Sequence, residues 1–198
     1  MKTQMRTMAG ALAALVVGAA AASAFASEPS AIGSSRSGQH SAENDGLVRD
    51  AEEAVEALQH ADPSLSRFFT SAVGYAAFPT VGKGAFGIGG AYGRGVLFEH
   101  GKPTGRASLT QVTIGPQLGG QAYSEIVFFE SREAVATFKK GELAMAAQVS
   151  AVAASAGASA NAKYAQGVAV FTLPKGGLMA EASVGGQKFD FRPFARAM

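Results

Sequence analysis

The sequence predicts an α+β protein in which N-terminal helices precede a strongly curved or barrel-like, mainly antiparallel sheet, with one further helix inserted between strands. Three observations predict this class. Half of residues 82–95 are glycine, which disfavours a helix by about 1 kcal/mol per glycine. Residues 121–130 alternate as a strand does, with apolar side chains on both faces. Helical signals precede Val73 and return at Ser131.

The N-terminus carries the pattern of an exported protein. A positively charged start precedes an alanine-rich apolar run and small residues at Ala24 and Ala26, which predicts a signal peptide over residues 1–26. Residues 27–44 have almost no bulky apolar side chain and are predicted to be a flexible leader. Residues 45–198 form the predicted single domain. The chain has no cysteine, so packing must stabilise this domain without disulfides.

Three helices are predicted. The first begins near Asp45 and carries apolar residues on one side and acidic residues on the others. The second is short, with Asp62 as its N-cap and Pro63 at its first helical position. The third follows the clearest strand, with Ser131 as its N-cap and Lys140 near its end.

Beyond the second helix the chain consists of short extended runs separated by turn signals. Glycines at 93–95, 101–105 and 115–120 predict three of these turns, so we expect an antiparallel meander. Residues 154–162 place alanine at every second position, which predicts a strand with very small side chains.

Residues typical of catalysis or cofactor binding lack the context that such chemistry needs. Residues 82–87 match G-x-G-x-x-G, but further glycines follow, and no helix can start there to hold a dinucleotide. The three histidines have no metal-ligand spacing, and no nucleophile elbow accompanies Ser124. We therefore expect no enzymatic activity, no cofactor and no metal site.

Charge is divided along the chain. Residues 27–62 contain eight acidic and two basic residues, whereas residues 63–198 contain seven acidic and thirteen basic residues. A basic domain behind an acidic segment predicts either an anionic partner or a leader that folds back onto the domain; the alternative is ordinary solubilising charge. Because the basic residues are dispersed and the protein is expected to be exported, nucleic acid is not an expected partner.

Several spaced segments together resemble the SYLF lipid-binding domain family, in particular its exported bacterial members. The resemblance runs from about Leu47 to Phe191. It is carried by AAFPTVGKGAFGIGGAYGRGVLFEHGK, QLGGQAYSEIVFFES, FKKGELA, ASAGASANA and KGGLMAEASVGGQKF, in that order. Several motifs in one order are more specific than any one of them.

The resemblance implies a domain that binds anionic phospholipid and has no enzymatic activity. Eukaryotic members bind phosphoinositides, and some relatives bind and bundle actin. Their lipid-inserting N-terminal helix is basic, whereas the matching helix here is acidic and would be repelled by an anionic membrane. We expect a non-catalytic periplasmic protein that engages anionic phospholipid at a membrane surface. The alternative is a structural or protein-interaction module of the cell envelope, with an envelope protein as partner.

The predicted meander places four basic residues together. A turn at Arg94 would bring Lys83, Lys102 and Arg106 to one pole of the sheet, and the fourth strand would return Arg132 to that pole. Near an anionic bilayer each basic residue contributes about 1 kcal/mol to adsorption. These four residues are therefore the predicted lipid-binding group.

Glu125 is the unusual carboxylate of the sequence, because it shares a strand face with Tyr123, Val127 and Phe129. A buried carboxylate needs a partner. We predict a structural ion pair between Glu125 and Lys83; the alternative is an acid that contacts a ligand.

Overall fold

The computed structural model describes residues 32–145, 152–181 and 184–195. The described chain is mixed α+β, with helices at its N-terminal end and one helix inserted between strands, as predicted. In chain order the elements are α1 (Ile32–Ala61), a 3-10 turn (Pro63–Leu65), α2 (Ser66–Ser71), β1 (Gly74–Glu99), β2 (Lys102–Phe129), α3 (Arg132–Lys139), β3 (Ala144–Met145), β4 (Val152–Ala153), a second 3-10 turn (Ala158–Asn161), β5 (Val168–Glu181) and β6 (Val184–Pro193).

The sheet is built around β2. β1 pairs antiparallel with one edge of β2 along nearly its whole length. On the other edge, β6 pairs antiparallel with residues 105–114 of β2, and β5 pairs antiparallel with residues 117–129. The short β3 pairs with β6, and β4 pairs with β5 in parallel. The predominantly antiparallel sheet is thus confirmed. The described strands do not close into a ring, so the barrel-like form is not confirmed.

The turns predicted at residues 93–95 and 115–120 are wrong, because both segments lie inside the long strands β1 and β2. The chain turns at His100 and Gly101, whose φ angles are 53° and 75°, so the turn predicted at residues 101–105 is confirmed at its first residue. The first part of the predicted meander is therefore replaced by one long β1–β2 hairpin with register shifts.

The glycines of β1 allow the strand to pack against itself. A Cβ atom added to Gly93 would lie 2.7 Å from Cγ2 of Val81, and one added to Gly95 would lie 2.6 Å from Cδ1 of Phe78. Any side chain at these positions would collide with the first half of the same strand. The two halves of β1 therefore pack closely together, and the sheet is strongly curved.

Two apolar clusters lie on the two faces of the curved sheet. The inner cluster includes Phe78 and Phe138, whose ring centroids lie 5.8 Å and 5.3 Å from that of Phe189. The outer cluster lies under the helices and includes Phe68 of α2, whose ring centroid is 4.8 Å from that of Phe171. Helices α2 and α3 are thus joined to the sheet by aromatic packing.

Helix α1 begins at Ile32, well before the predicted start near Asp45. Residues 32–44, predicted as part of the flexible leader, are therefore helical; the rest of that leader and the predicted signal peptide lie outside the described residues. The predicted caps are confirmed: the Asp62 side chain accepts a hydrogen bond from Ser64 N–H at 3.1 Å, and Ser131 accepts one from Ala134 N–H at 3.2 Å.

The strand predicted over residues 154–162 is wrong: this segment forms a turn and a 3-10 turn after the two-residue strand β4. The reason is a buried carboxylate far away in sequence. Asp62 accepts hydrogen bonds from the backbone N–H groups of Gly157 at 3.1 Å and Ser159 at 2.7 Å. These bonds dock the small-residue segment against the end of α1.

Candidate functional site

Large apolar side chains are exposed together where the β1–β2 hairpin bends. Phe86 is 85% exposed and Ile88 is 68% exposed. Across the hairpin Phe86 is paired with Leu118, and Ile88 with Ile114. We call this surface the apolar bend; it consists of Phe86, Ile88, Val112, Ile114 and Leu118.

Polar groups on the inner side hold the bend in place. The Thr113 hydroxyl donates to Oε1 of Gln117 at 2.8 Å, and Nε2 of Gln117 donates to the carbonyl oxygens of Gly87 at 3.1 Å and Thr113 at 3.0 Å. Both side chains are buried. Gly87 has a φ of 72°, a backbone conformation that glycine adopts without strain. The exposed apolar side chains are therefore carried by a hydrogen-bonded scaffold.

Along the outer face of the sheet, the exposed side chains become more polar with distance from the apolar bend. On β1, Ile88 is followed on the same face by Tyr92 and then Arg94, all exposed. β2 carries Arg106 at the charged end of this face, and β6 places Lys188 level with Tyr92, because both pair with Thr110. Since a strand rises about 3.3 Å per residue, the arginines lie roughly 20 Å along the strand from Ile88. The face is apolar, then aromatic and mixed, then cationic.

Three arginines line an open recess of about 510 Å³ at the charged end of this face. They are Arg94 of β1, Arg106 of β2 and Arg192 of β6, which is the strand partner of Arg106. Asp190 and Tyr92 also line the recess. We call it the arginine recess.

Helix α1 places an acidic group against two of the arginines that line the recess. Oε1 of Glu43 lies 2.5 Å from Nη2 of Arg94, and Oε2 lies 3.1 Å from Nη2 of Arg106. Nε of Arg106 also donates to the side-chain oxygen of Asn44. The hydrogen bond from Arg94, together with the one from Arg106, lowers the pKa of Glu43. Of the alternatives raised by the charge division, the acidic segment folding back onto the basic domain is therefore observed.

The four predicted lipid-binding residues do not form the pole that the meander implied. Lys83 lies opposite Gln121, three residues before Phe86, and Lys102 lies at the hairpin turn opposite Glu99. Arg106 belongs to the arginine recess, and Arg132 is the first residue of α3. Because β1 does not turn at Arg94, the geometric argument for grouping them fails. Their lipid-binding role stays a prediction.

Glu125 is fully buried, as its strand face suggested, but its hydrogen-bond partner is Gln187. Nε2 of Gln187 donates to Oε2 of Glu125 at 3.1 Å, and Oε1 of Glu125 has no hydrogen-bond partner. Burial raises the pKa of Glu125 to about 7, opposed in part by the bond from Gln187. The hydrogen bond that Glu125 receives among the described residues therefore comes from Gln187 of β6, and the ion pair with Lys83 stays a prediction.

Within residues 32–145, 152–181 and 184–195, no group of three or more acidic or histidine side chains is arranged to hold a metal ion. None of the helices in these ranges has the length and apolar character needed to cross a membrane.

A scaffold with an exposed apolar bend and a cationic recess is that of a binding domain. Comparison with known proteins agrees: residues 110–195, from within β2 to just past the end of β6, match the family model Ysc84, described as "Las17-binding protein actin regulator". The resemblance to the SYLF family is thereby confirmed over residues 110–195. This family is a family of binding domains.

A curated relative is similar over a longer stretch. The protein named "Beta cell expansion factor A", from Aeromonas veronii, is 26% identical over 142 residues. The match covers 70% of this chain and 53% of the relative, so the chain spans about half of that protein's length. No solved structure matches this chain.

Proposed function

We propose that this protein is a non-catalytic lipid-binding module that engages anionic phospholipid at a membrane surface on the periplasmic side. The observation that carries the proposal is the graded outer face, which runs from the apolar bend through Tyr92 to the arginine recess. The similarity of residues 110–195 to a lipid- or actin-related family of binding domains supports it.

The graded face matches the order of chemistry through one leaflet of a bilayer. The apolar bend would enter the hydrocarbon edge, where burying a fully exposed large apolar side chain is worth about 1.5–3 kcal/mol. Tyr92 would lie at the headgroup level, where amphipathic aromatic side chains are favoured. Lys188 and the arginines would meet the lipid phosphates, and each basic group near an anionic surface contributes about 1 kcal/mol.

A protein-interaction module is the second candidate function. Exposed apolar patches occur at protein interfaces as well as at membranes, and the matching family model is described as an actin regulator. The order of apolar, aromatic and cationic groups favours the membrane, because a protein partner requires no such order. Vesicles free of protein distinguish the two candidates.

The test uses two double variants of equal shape, Ile88→Val with Ile114→Val and Ile88→Thr with Ile114→Thr. Valine and threonine have similar volume and similar strand propensity, but threonine carries a hydroxyl that resists burial in lipid. The threonine variant should bind phosphatidylglycerol vesicles at least tenfold more weakly than the valine variant, because two hydroxyls enter the hydrocarbon edge at a cost of roughly 1 kcal/mol each. Equal binding would contradict insertion of the apolar bend.

The proposed export has its own test. If residues 1–26 are a signal peptide, the protein recovered from the periplasm of an expressing bacterium begins at Ser27. N-terminal sequencing or intact mass measures this directly, and an uncleaved N-terminus would contradict it.

A further inference from the structure

We propose that Arg94 and Arg106 form a binding site for a phosphate group, and that the Glu43 carboxylate occupies this site in the structure. Where the phosphate belongs to a membrane lipid, the inference rests on the proposed function. It adds a ligand site and a competing internal group to the graded outer face.

The geometry is that of an anion held by two guanidinium groups. One carboxylate uses its two oxygens on two arginines, which come from the neighbouring strands β1 and β2. Guanidinium groups bind carboxylate and phosphate through the same charge-assisted hydrogen bonds. A phosphate group has at least two free oxygens with which to replace both of these bonds.

The sheet gives the arginine recess more positive than negative side chains, so the recess favours the binding of a further anion. Arg94, Arg106 and Arg192 line it, and Asp190 is the one acidic residue that the sheet contributes to its described lining. The second carboxylate comes from α1, a separate element. The sheet surface therefore has an excess of positive charge that Glu43 of α1 neutralises in part.

The contact with Glu43 is accessible to a competing anion. The Glu43 side chain is 42% exposed and that of Arg94 is 46% exposed. Exposed ion pairs are weak because water and salt compete for both partners. Helix α1 has separate buried anchors at Ala51 and Leu58, so Glu43 can leave the arginines without detaching the helix.

The site lies on the graded outer face, beyond Tyr92 from the apolar bend. A lipid whose tails meet the bend would present its phosphate toward this end of the face. Anionic lipid and Glu43 would then compete for the same arginines, so Glu43 restrains binding until a phosphate displaces it.

The experiment compares Glu43→Gln with Glu56→Gln. Both remove one negative charge from exposed positions of α1, but Glu56 makes no described contact with the recess, so it controls for net charge. Binding to vesicles of phosphatidylglycerol and phosphatidylcholine is measured by co-sedimentation. We expect Glu43→Gln to bind three- to tenfold more tightly than Glu56→Gln, and a triple variant with Arg94→Gln and Arg106→Gln to lose this gain.

Free phosphate provides a second readout that needs no membrane. Inorganic phosphate should raise the melting temperature of Glu43→Gln more than chloride does at equal ionic strength. The triple variant controls for general salt effects, and its melting temperature should rise less with phosphate than that of Glu43→Gln. If Glu43→Gln proves unfolded by circular dichroism, the same comparison is made between the wild type and the Arg94→Gln, Arg106→Gln double variant.

The outcomes separate this inference from the proposed function. Equal vesicle binding by the two single variants, with no arginine-dependent phosphate shift, overturns the site. A phosphate shift without vesicle binding by any variant keeps the site for a phosphate-bearing solute and rejects the membrane function. Vesicle binding by the wild type that Glu43→Gln does not change leaves the membrane function standing and overturns the competition.

Discussion

Replacing Glu125 with glutamine tests the energetic cost of the buried carboxylate. Glu125 is 1% exposed, is bound by Gln187, and lies opposite Phe78 and Thr172 on the adjacent strands. Glutamine has nearly the same size and can keep a hydrogen bond to Gln187, but it cannot ionise. The variant therefore removes the titration and little else.

The magnitude follows from the raised pKa. Because the folded-state pKa of Glu125 is above the unfolded value, its contribution to stability is complete below 4.5 and falls as the pH rises toward 7. A pKa raised from 4.5 to about 7 lowers the free energy of unfolding by about 3 kcal/mol above pH 7. Glu125→Gln should escape this loss.

Urea unfolding at pH 4.5 and at pH 8 measures the effect. At pH 8 the variant should be more stable than the wild type by about 3 kcal/mol, and at pH 4.5 the two should agree within about 1 kcal/mol. Glu130→Gln, an exposed neighbour on the same segment, is the matched control and should show no such pH-dependent gain. A stability difference that is the same at both pH values would refute the reasoning.

Three further predictions concern stability. Burial raises the pKa of Asp62, but hydrogen bonds led by the one from Ser64 outweigh this effect and lower the pKa to about 2. The contribution of Asp62 to the free energy of unfolding is therefore present above pH 3.8 and lost as the pH falls toward 2. Asp62→Asn should therefore cost about 2 kcal/mol in urea unfolding at pH 7 and little at pH 2; a cost that does not shrink in acid would contradict this. Gly95→Ala places a Cβ atom against backbone and should lower the free energy of unfolding by about 2 kcal/mol. At the control position, a Cβ atom on Gly82 meets nothing within 4 Å, so Gly82→Ala should change the free energy of unfolding by no more than about 0.5 kcal/mol. Equal melting temperatures of the two variants would argue against the close packing of β1 on itself. Phe138→Ala removes a ring that packs on three others, those of Phe129, Phe189 and Phe191, and should cost about 3–5 kcal/mol in urea unfolding. A loss below about 1 kcal/mol would show that α3 is not part of the core.

The features predicted correctly from the sequence are those fixed by local chemistry. Asp62 and Ser131 cap helices because a side-chain oxygen reaches backbone N–H groups a few residues away, and this needs no knowledge of the fold. The fold class and the mainly antiparallel sheet follow from glycine content and alternation. These signals are read within a short window.

The errors come from contacts between distant residues. The glycines at 93 and 95 predict a turn from the local sequence, but a side chain is excluded at these positions because the first half of β1 lies against them. The alternating segment 154–162 resembles a strand, but two of its backbone N–H groups donate hydrogen bonds to the Asp62 carboxylate. In both cases the partner lies too far along the chain for periodicity to indicate it.

The candidate site was predicted only in part. The charge division indicated that the acidic segment could fold back onto the basic domain, but not that Glu43 would meet Arg94 and Arg106. Phe86 and Ile88 alternate with glycine as strand residues do, and this pattern alone does not distinguish an exposed face from a buried one. The exposure of the bend depends on how the whole hairpin curves.

Binding of residues 27–198 to vesicles across a salt series tests the central claim most directly. The account predicts co-sedimentation with phosphatidylglycerol vesicles that weakens as salt rises from 0.05 to about 0.5 M, because the Debye length shrinks from above 10 Å to below 8 Å. Vesicles of phosphatidylcholine should retain less protein at every salt concentration. Absence of binding to anionic vesicles even at the lowest salt would contradict the account and favour a protein-interaction module.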